Sequence, residues 1–146
     1  MQRIKEKDLT KIVTEVLRKA GSEEEEASLV AKHLVLADLC GHESHGVGMI
    51  PYYLQYISQG ILHPNTPAKL IKDEDAILVF DGQRGYGQRT AHEAMEKAIS
   101  KCKQKGFAVM ALRNAQHIGR VGTYGEQSIQ AGLVSIHFVK LKSING

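Results

Sequence analysis

At 146 residues, with 42% hydrophobic and 24% charged side chains, the chain has the composition of one ordinary globular domain, not of a disordered or fibrous protein. Lysine and arginine total 19 against 16 aspartates and glutamates, and the resulting +3 is scattered among acids, which argues against a nucleic-acid footprint. No apolar run reaches membrane-spanning length, MQRIKEKDLT lacks the core of a secretory signal, and Cys40 and Cys102 sit in helical patterns suited to reduced thiols, so a cytoplasmic location is expected.

Leu9, Ile12, Val13, Val16, Leu17 and Ala20 recur at spacings of three and four, which predicts a first helix stopped at Gly21. Ser22 and Glu25 have the spacing of a capping box, and the acids 23–26 suit a helix N-terminus. Ala27, Val30, Ala31 and Leu34 carry the second helix, with Asp38 extending its stripe, to about Cys40. Beyond GHESHGVGM, the residues Ile50, Tyr53, Leu54 and Ile57 predict a third helix with Pro51 in its first turn and Gly60 at its end. An irregular connection over 61–67 leads to AKLIKDEDAILVFDG, read as a hairpin around Asp73, Glu74 and Asp75. A glycine-rich loop, GQRGYGQRT, precedes a fourth helix marked by Ala91, Ala94, Met95, Ala98, Ile99 and Cys102 and closed by Gly106. FAVMAL reads as a buried strand, RNAQHIGRVGTYG as a second glycine-rich junction entering a short helix through Ile129, and GLVSIHFV as a last strand. This order predicts a mixed α/β (α+β) chain: a helical segment over 1–60, then a mixed sheet covered by helices over 61–146.

Two junctions place a histidine among glycines: Ser44-His45-Gly46 and Gln116-His117-Ile118-Gly119. His42 and His45 form H-E-x-H, not the H-E-x-x-H that sets two imidazoles one helical turn apart, and no third ligand is in view; no metal is expected. Ser44 lacks the G-x-S-x-G frame of a nucleophile elbow, and neither glycine-rich stretch has the G-x-G-x-x-G spacing of a Rossmann crossover. A loop histidine commonly just hydrogen-bonds a neighbouring carbonyl. Acid–base work is the chemistry left for the pair, because imidazole titrates near neutrality and both accepts and returns a proton.

ESHGVGMIPYYLQYI, VFDGQRGYGQRTAHEAMEKAI and RNAQHIGRVGTYGEQSIQAGLVSIHF closely resemble, in order and spacing, the N-terminal part of the malate and L-lactate dehydrogenase family, which also includes sulfolactate, ureidoglycolate and diketogulonate oxidoreductases. The resemblance covers nearly all of residues 1–139. It implies a non-Rossmann fold, NAD- or NADP-dependent interconversion of a small 2-hydroxy acid such as malate or lactate with its 2-oxo acid, and a homo-oligomer. It also implies that His117 takes the hydroxyl proton, that Ser44 and His45 hold the oxygen and carboxylate end of the substrate, and that Val121 and Gly122 lie near the cofactor; the opposite division of roles between His45 and His117 stays open.

Met49 stands where some relatives carry an arginine, which leaves Arg84, Arg113 and Arg120 as candidate carboxylate partners, each equally a solvated surface side chain. Gln116 and Ile118 replace the asparagine and phenylalanine usual in the second motif. KLKSING does not resemble the family's continuation, so the fold is expected to be truncated, with apolar faces left for a missing part. Two readings result: a portion of a dehydrogenase, or an inactive remnant serving as an oligomerisation or binding module.

Overall fold

The computed structural model describes residues 4–140. Helices α1 (Glu6–Lys19) and α2 (Glu24–Leu39) form an antiparallel pair, followed by two single 3₁₀ turns at Glu43–His45 and Val47–Met49 and by α3 (Ile50–Ser58). The hairpin β1 (Lys69–Glu74) and β2 (Ile77–Asp81), helix α4 (Gly87–Lys105), strand β3 (Val109–Arg113) and helix α5 (Gly122–Gln130) complete the described order. The expected mixed architecture is thus present: β1 runs antiparallel to β2, and β2 parallel to β3 with Ile77 opposite Val109 and Asp81 opposite Arg113. The parallel pair needs a crossover, which α4 supplies.

The helical stripes bury as their spacing requires. Val13 and Leu17 of α1 meet Ala27, Val30, Ala31 and Leu34 of α2, and Tyr53 of α3, Leu62 and Tyr86 close the same cluster. Ile12, assigned to that stripe from its spacing, is exposed, because only the narrower Val13–Leu17 line faces α2. Ala94 and Ala98 of α4 lie on Leu78 and Phe80 of β2, where their small side chains let the helix approach the sheet. Ala91, Met95 and Tyr124 join α4 to α5. His33 of α2 lies at this junction, its ring 6.5 Å from that of His92 and 5.9 Å from that of Tyr124.

Besides FAVMAL, the run read as a buried strand, whose Phe107, Val109 and Ala111 are exposed, two local expectations are corrected. The capping box does not form: Ser22 is buried, Glu23 occupies the N-cap position of α2, and its N–H donates to Asn65 Oδ1 at 2.7 Å. The acidic run is also only partly solvated. Glu26 is buried, accepts the Asn65 N–H at 2.7 Å through Oε1 and pairs with Arg89 Nη1 at 3.0 Å through Oε2. The second correction is the last strand: GLVSIHFV has no regular structure and joins no sheet. Its period-two rhythm survives, with Leu133, Ser135 and His137 half-buried while Val134, Ile136 and Phe138 are 96%, 80% and 93% exposed. Among the described residues no strand supplies the ladder bonds it needs. A smaller difference is the start of α4, which already takes in Gly87-Gln88-Arg89-Thr90, residues read from the sequence as loop. Among the described residues no helix is long and apolar enough to cross a membrane.

Candidate active site

The turn after α2 is built on a carboxylate. Asp38 Oδ2 accepts the N–H of Val47 at 3.0 Å, drawing the 43–49 segment back over the end of the helix. A Cβ at position 46 would overlap the Asp38 carboxylate, so a larger residue beside His45 would have to push aside the side chain that accepts the Val47 N–H. The turn presents Ser44, whose Oγ lies 2.8 Å from His45 Nδ1, and it packs the half-buried Met49 against the helical core. The position where some relatives carry arginine therefore serves packing here.

The second loop is seated by the first residues of α4 and the turn before it. Gly82 N–H donates to Arg113 O at 2.8 Å and Arg84 N–H to Asn114 O at 2.9 Å, while Gln116 Nε2 donates to Ile61 O at 2.9 Å. A Cβ on Gly87 would overlap the carbonyl oxygens of Gln116 and His117, so only glycine lets the start of α4 lie against this loop. Tyr124 O–H donates to Ile118 O and ties the far side of the loop to α5.

These two constructions bring the rings of His45 and His117 to a centroid separation of 5.1 Å with 36° between their planes. Tyr53 Oη lies 2.8 Å from His117 Nδ1, and Gln88 Nε2 donates to the same oxygen at 2.6 Å. Burial, reinforced by the nearby His45, pushes His117 down to about 4, so the ring is neutral near pH 7. Burial raises the Tyr53 hydroxyl well above the usual tyrosine range, so it remains protonated. A neutral imidazole beside a second imidazole, both on loops, can exchange hydrogen bonds with a small oxygen-bearing ligand.

Of the other residues singled out from the sequence, Val121 and Gly122 stand at the start of α5, five residues or fewer beyond His117. Arg113 is engaged with Asp81 at 3.1 Å and Arg120 with Glu126 at 2.7 Å, while Arg84 sits exposed on the turn before α4. None of the three makes a hydrogen bond to His45 or His117 among the described residues. Sequence reasoning missed Tyr53 and Gln88. Tyr53 falls on the apolar stripe of α3 and reads as core, which it also is, and Gln88 falls in a stretch read as loop. The usable signal was a hydroxyl at a stripe position otherwise filled by aliphatic side chains.

The family model described as malate/L-lactate dehydrogenase matches residues 4–144. The match continues past residue 139, so part of KLKSING follows the family after all. Hydroxycarboxylate dehydrogenase B of Escherichia coli is 51% identical over 136 residues, which is 93% of this chain and 38% of that protein. L-sulfolactate dehydrogenase of Methanocaldococcus jannaschii is 38% identical over 133 residues, 91% of this chain and 39% of that protein. Among solved structures, malate dehydrogenase from Pyrococcus horikoshii matches with a TM-score of 0.86 at 34% identity, over 90% of this chain and 38% of that one. The chain therefore spans about 38% of the length of such relatives.

Proposed function

Because the chain belongs to the malate/L-lactate dehydrogenase family, we propose that it forms the histidine-bearing portion of an oxidoreductase that interconverts a small 2-hydroxy acid and its 2-oxo acid with NAD or NADP. The observation that supports this reading is the approach of His45 and His117 to a ring separation of 5.1 Å from two glycine-bearing loops distant in sequence. His117 exchanges the proton of the substrate oxygen, taking it from a hydroxyl or returning it to a carbonyl, while Ser44 and His45 hold the oxygen and carboxylate end. The base must lie within hydrogen-bonding reach of that oxygen, because hydride leaves the carbon only as the hydroxyl loses its proton.

A bound nicotinamide would supply hydride acceptance and donation at the carbon that carries this oxygen. The start of α5 fits part of such a group: beside Val121 and Gly122, Thr123 Oγ1 is buried with no hydrogen-bond partner among the described residues. In this reading the protein is a cytoplasmic homo-oligomer with no metal. The alternative, an inactive association module, is favoured by the exposed apolar side chains of residues 134–138.

The test joins residues 4–139 to the remainder of the E. coli hydroxycarboxylate dehydrogenase B and follows nicotinamide absorbance with lactate, malate and their oxo acids. Turnover is expected, and His117→Ala should lower it at least about 100-fold with the cofactor KM little changed. A folded chimera that binds nucleotide yet turns over none of these acids would favour the association module, and full activity of His117→Ala would remove that residue from the chemistry.

A further inference from the structure

Tyr53 and Gln88 make a buried hydrogen-bonded line that ends on His117, and the direction of that line has a chemical consequence. Gln88 Nε2 is a donor only, and it donates to Tyr53 Oη at 2.6 Å. With Nε2 facing Tyr53 Oη and Gln88 Oε1 buried without a partner among the described residues, the single proton of Tyr53 is not taken up by Gln88 in this orientation. The acceptor left within reach is His117 Nδ1 at 2.8 Å. Tyr53 is held in place for this contact by burial in the helical core and by an edge-to-face packing against Tyr86, with ring centroids 5.6 Å apart. Gln88 is buried on α4 directly after Gly87, the residue whose lack of a side chain lets α4 meet the His117 loop.

We propose that Tyr53, aligned by Gln88, is a positioning residue that donates its hydroxyl proton to His117 Nδ1 and so fixes the neutral ring as the Nε2–H tautomer. This rests on the reading of His117 as the residue that meets the substrate oxygen. An Nε2–H imidazole meets its ligand as a hydrogen-bond donor, which complements the carbonyl oxygen of a 2-oxo acid, an atom that only accepts. To receive a hydroxyl proton at Nε2, the ring must first move its hydrogen to Nδ1, which requires Tyr53 to turn from donor to acceptor. The free site thus meets the oxo acid as a hydrogen-bond donor, while proton transfer in either direction runs between the neutral Nδ1–H ring and its imidazolium, so the chemical step itself requires this line of hydrogen bonds to reverse.

The tautomer is readable without activity. Long-range proton–nitrogen correlation spectra of the full chain, selectively labelled at histidine and free of ligand, are recorded from pH 7.5 down through the titration of His117. The titratable groups against this ring are His45 from the 43–49 segment and Tyr53 from α3. Nδ1 is expected to show the unprotonated resonance at pH 7.5. Tyr53→Phe should raise the His117 midpoint by about half a unit to one unit and mix the tautomers, because a hydrogen bond accepted by Nδ1 is available only to the neutral ring. A wild-type spectrum with hydrogen on Nδ1, or a midpoint that is unchanged or falls in Tyr53→Phe, overturns the proposal, since a fall means that Tyr53 had been accepting. If Tyr53→Phe does not fold, the wild-type spectrum alone decides. The reading of function fails separately: adding pyruvate or oxaloacetate with NADH to the chimera would then give no turnover, whatever the tautomer.

Discussion

At the scale of single residues, the site depends on atoms that are missing as much as on those present. The overlap at Gly87 is with backbone carbonyls of Gln116 and His117, which cannot swing aside as a flexible side chain would. Gly87→Ala should therefore displace the His117 loop and break its contact with Tyr53, whereas Gly125→Ala, in α5 with open space around it, should be neutral or stabilising by up to about 1 kcal/mol. Thermal unfolding of both variants, with the His117 imidazole signals as the local report, checks the contrast; equal behaviour would mean that the close approach at position 87 carries no constraint. His45 and His117 were legible in the sequence because a titratable ring between glycines is unusual in a plain connector. The partnership of Tyr53 and Gln88 was not, because their hydrogen bond joins α3 to α4 across 35 residues and local spacing shows at most a hydroxyl on an apolar stripe, not what it meets.

At the scale of elements, hydrophobic periodicity located α1 to α4, since each buries one face and the burial sets the period, while α5 was placed by the glycine-rich junction before it and the hairpin by its polar tip, β1 being exposed along its whole length. It failed at the start of α2, where Asn65, far along the chain, replaces the expected local cap. The junction of α2, α4 and α5 carries a pH-dependent weakness that no local pattern reveals. Burial, with the neighbouring His92 adding to it, holds His33 down to about 4, against an ordinary value of 6.5 in the unfolded chain, and its Nδ1 has no partner among the described residues. Between those values the unfolded state binds more protons, so stability is complete above about pH 6.5 and declines as pH falls toward 4. His117, shifted in the same direction, adds to the decline. Urea unfolding at pH 7.5 and 4.5 should show a loss that His33→Leu reduces by at most about 3 kcal/mol. An identical loss in the variant would exclude His33 as a source.

At the scale of the whole molecule, the described sheet ends at β3, which pairs only with β2, while residues 133–139 keep the rhythm of a strand without a neighbour. Exposed Val134, Ile136 and Phe138 make a continuous apolar edge of the kind that recruits another chain. Sedimentation should show the isolated chain associating with itself as concentration rises, and Ile136→Lys with Phe138→Lys should shift it toward monomer; association unchanged by the pair would place the contact elsewhere. The amino-acid sequence by itself determined the helices, the hairpin, the two histidine-bearing loops and the family, because these follow from periodicity, glycine placement and ordered motifs. Only the tertiary structure decided that the two imidazoles meet, that a tyrosine and a glutamine stand behind one of them, that Glu26 turns inward to Arg89, and that the last strand-like run goes unpaired. Each of these depends on what lies across space from a residue, and a strand in particular exists only where a second backbone answers its hydrogen bonds.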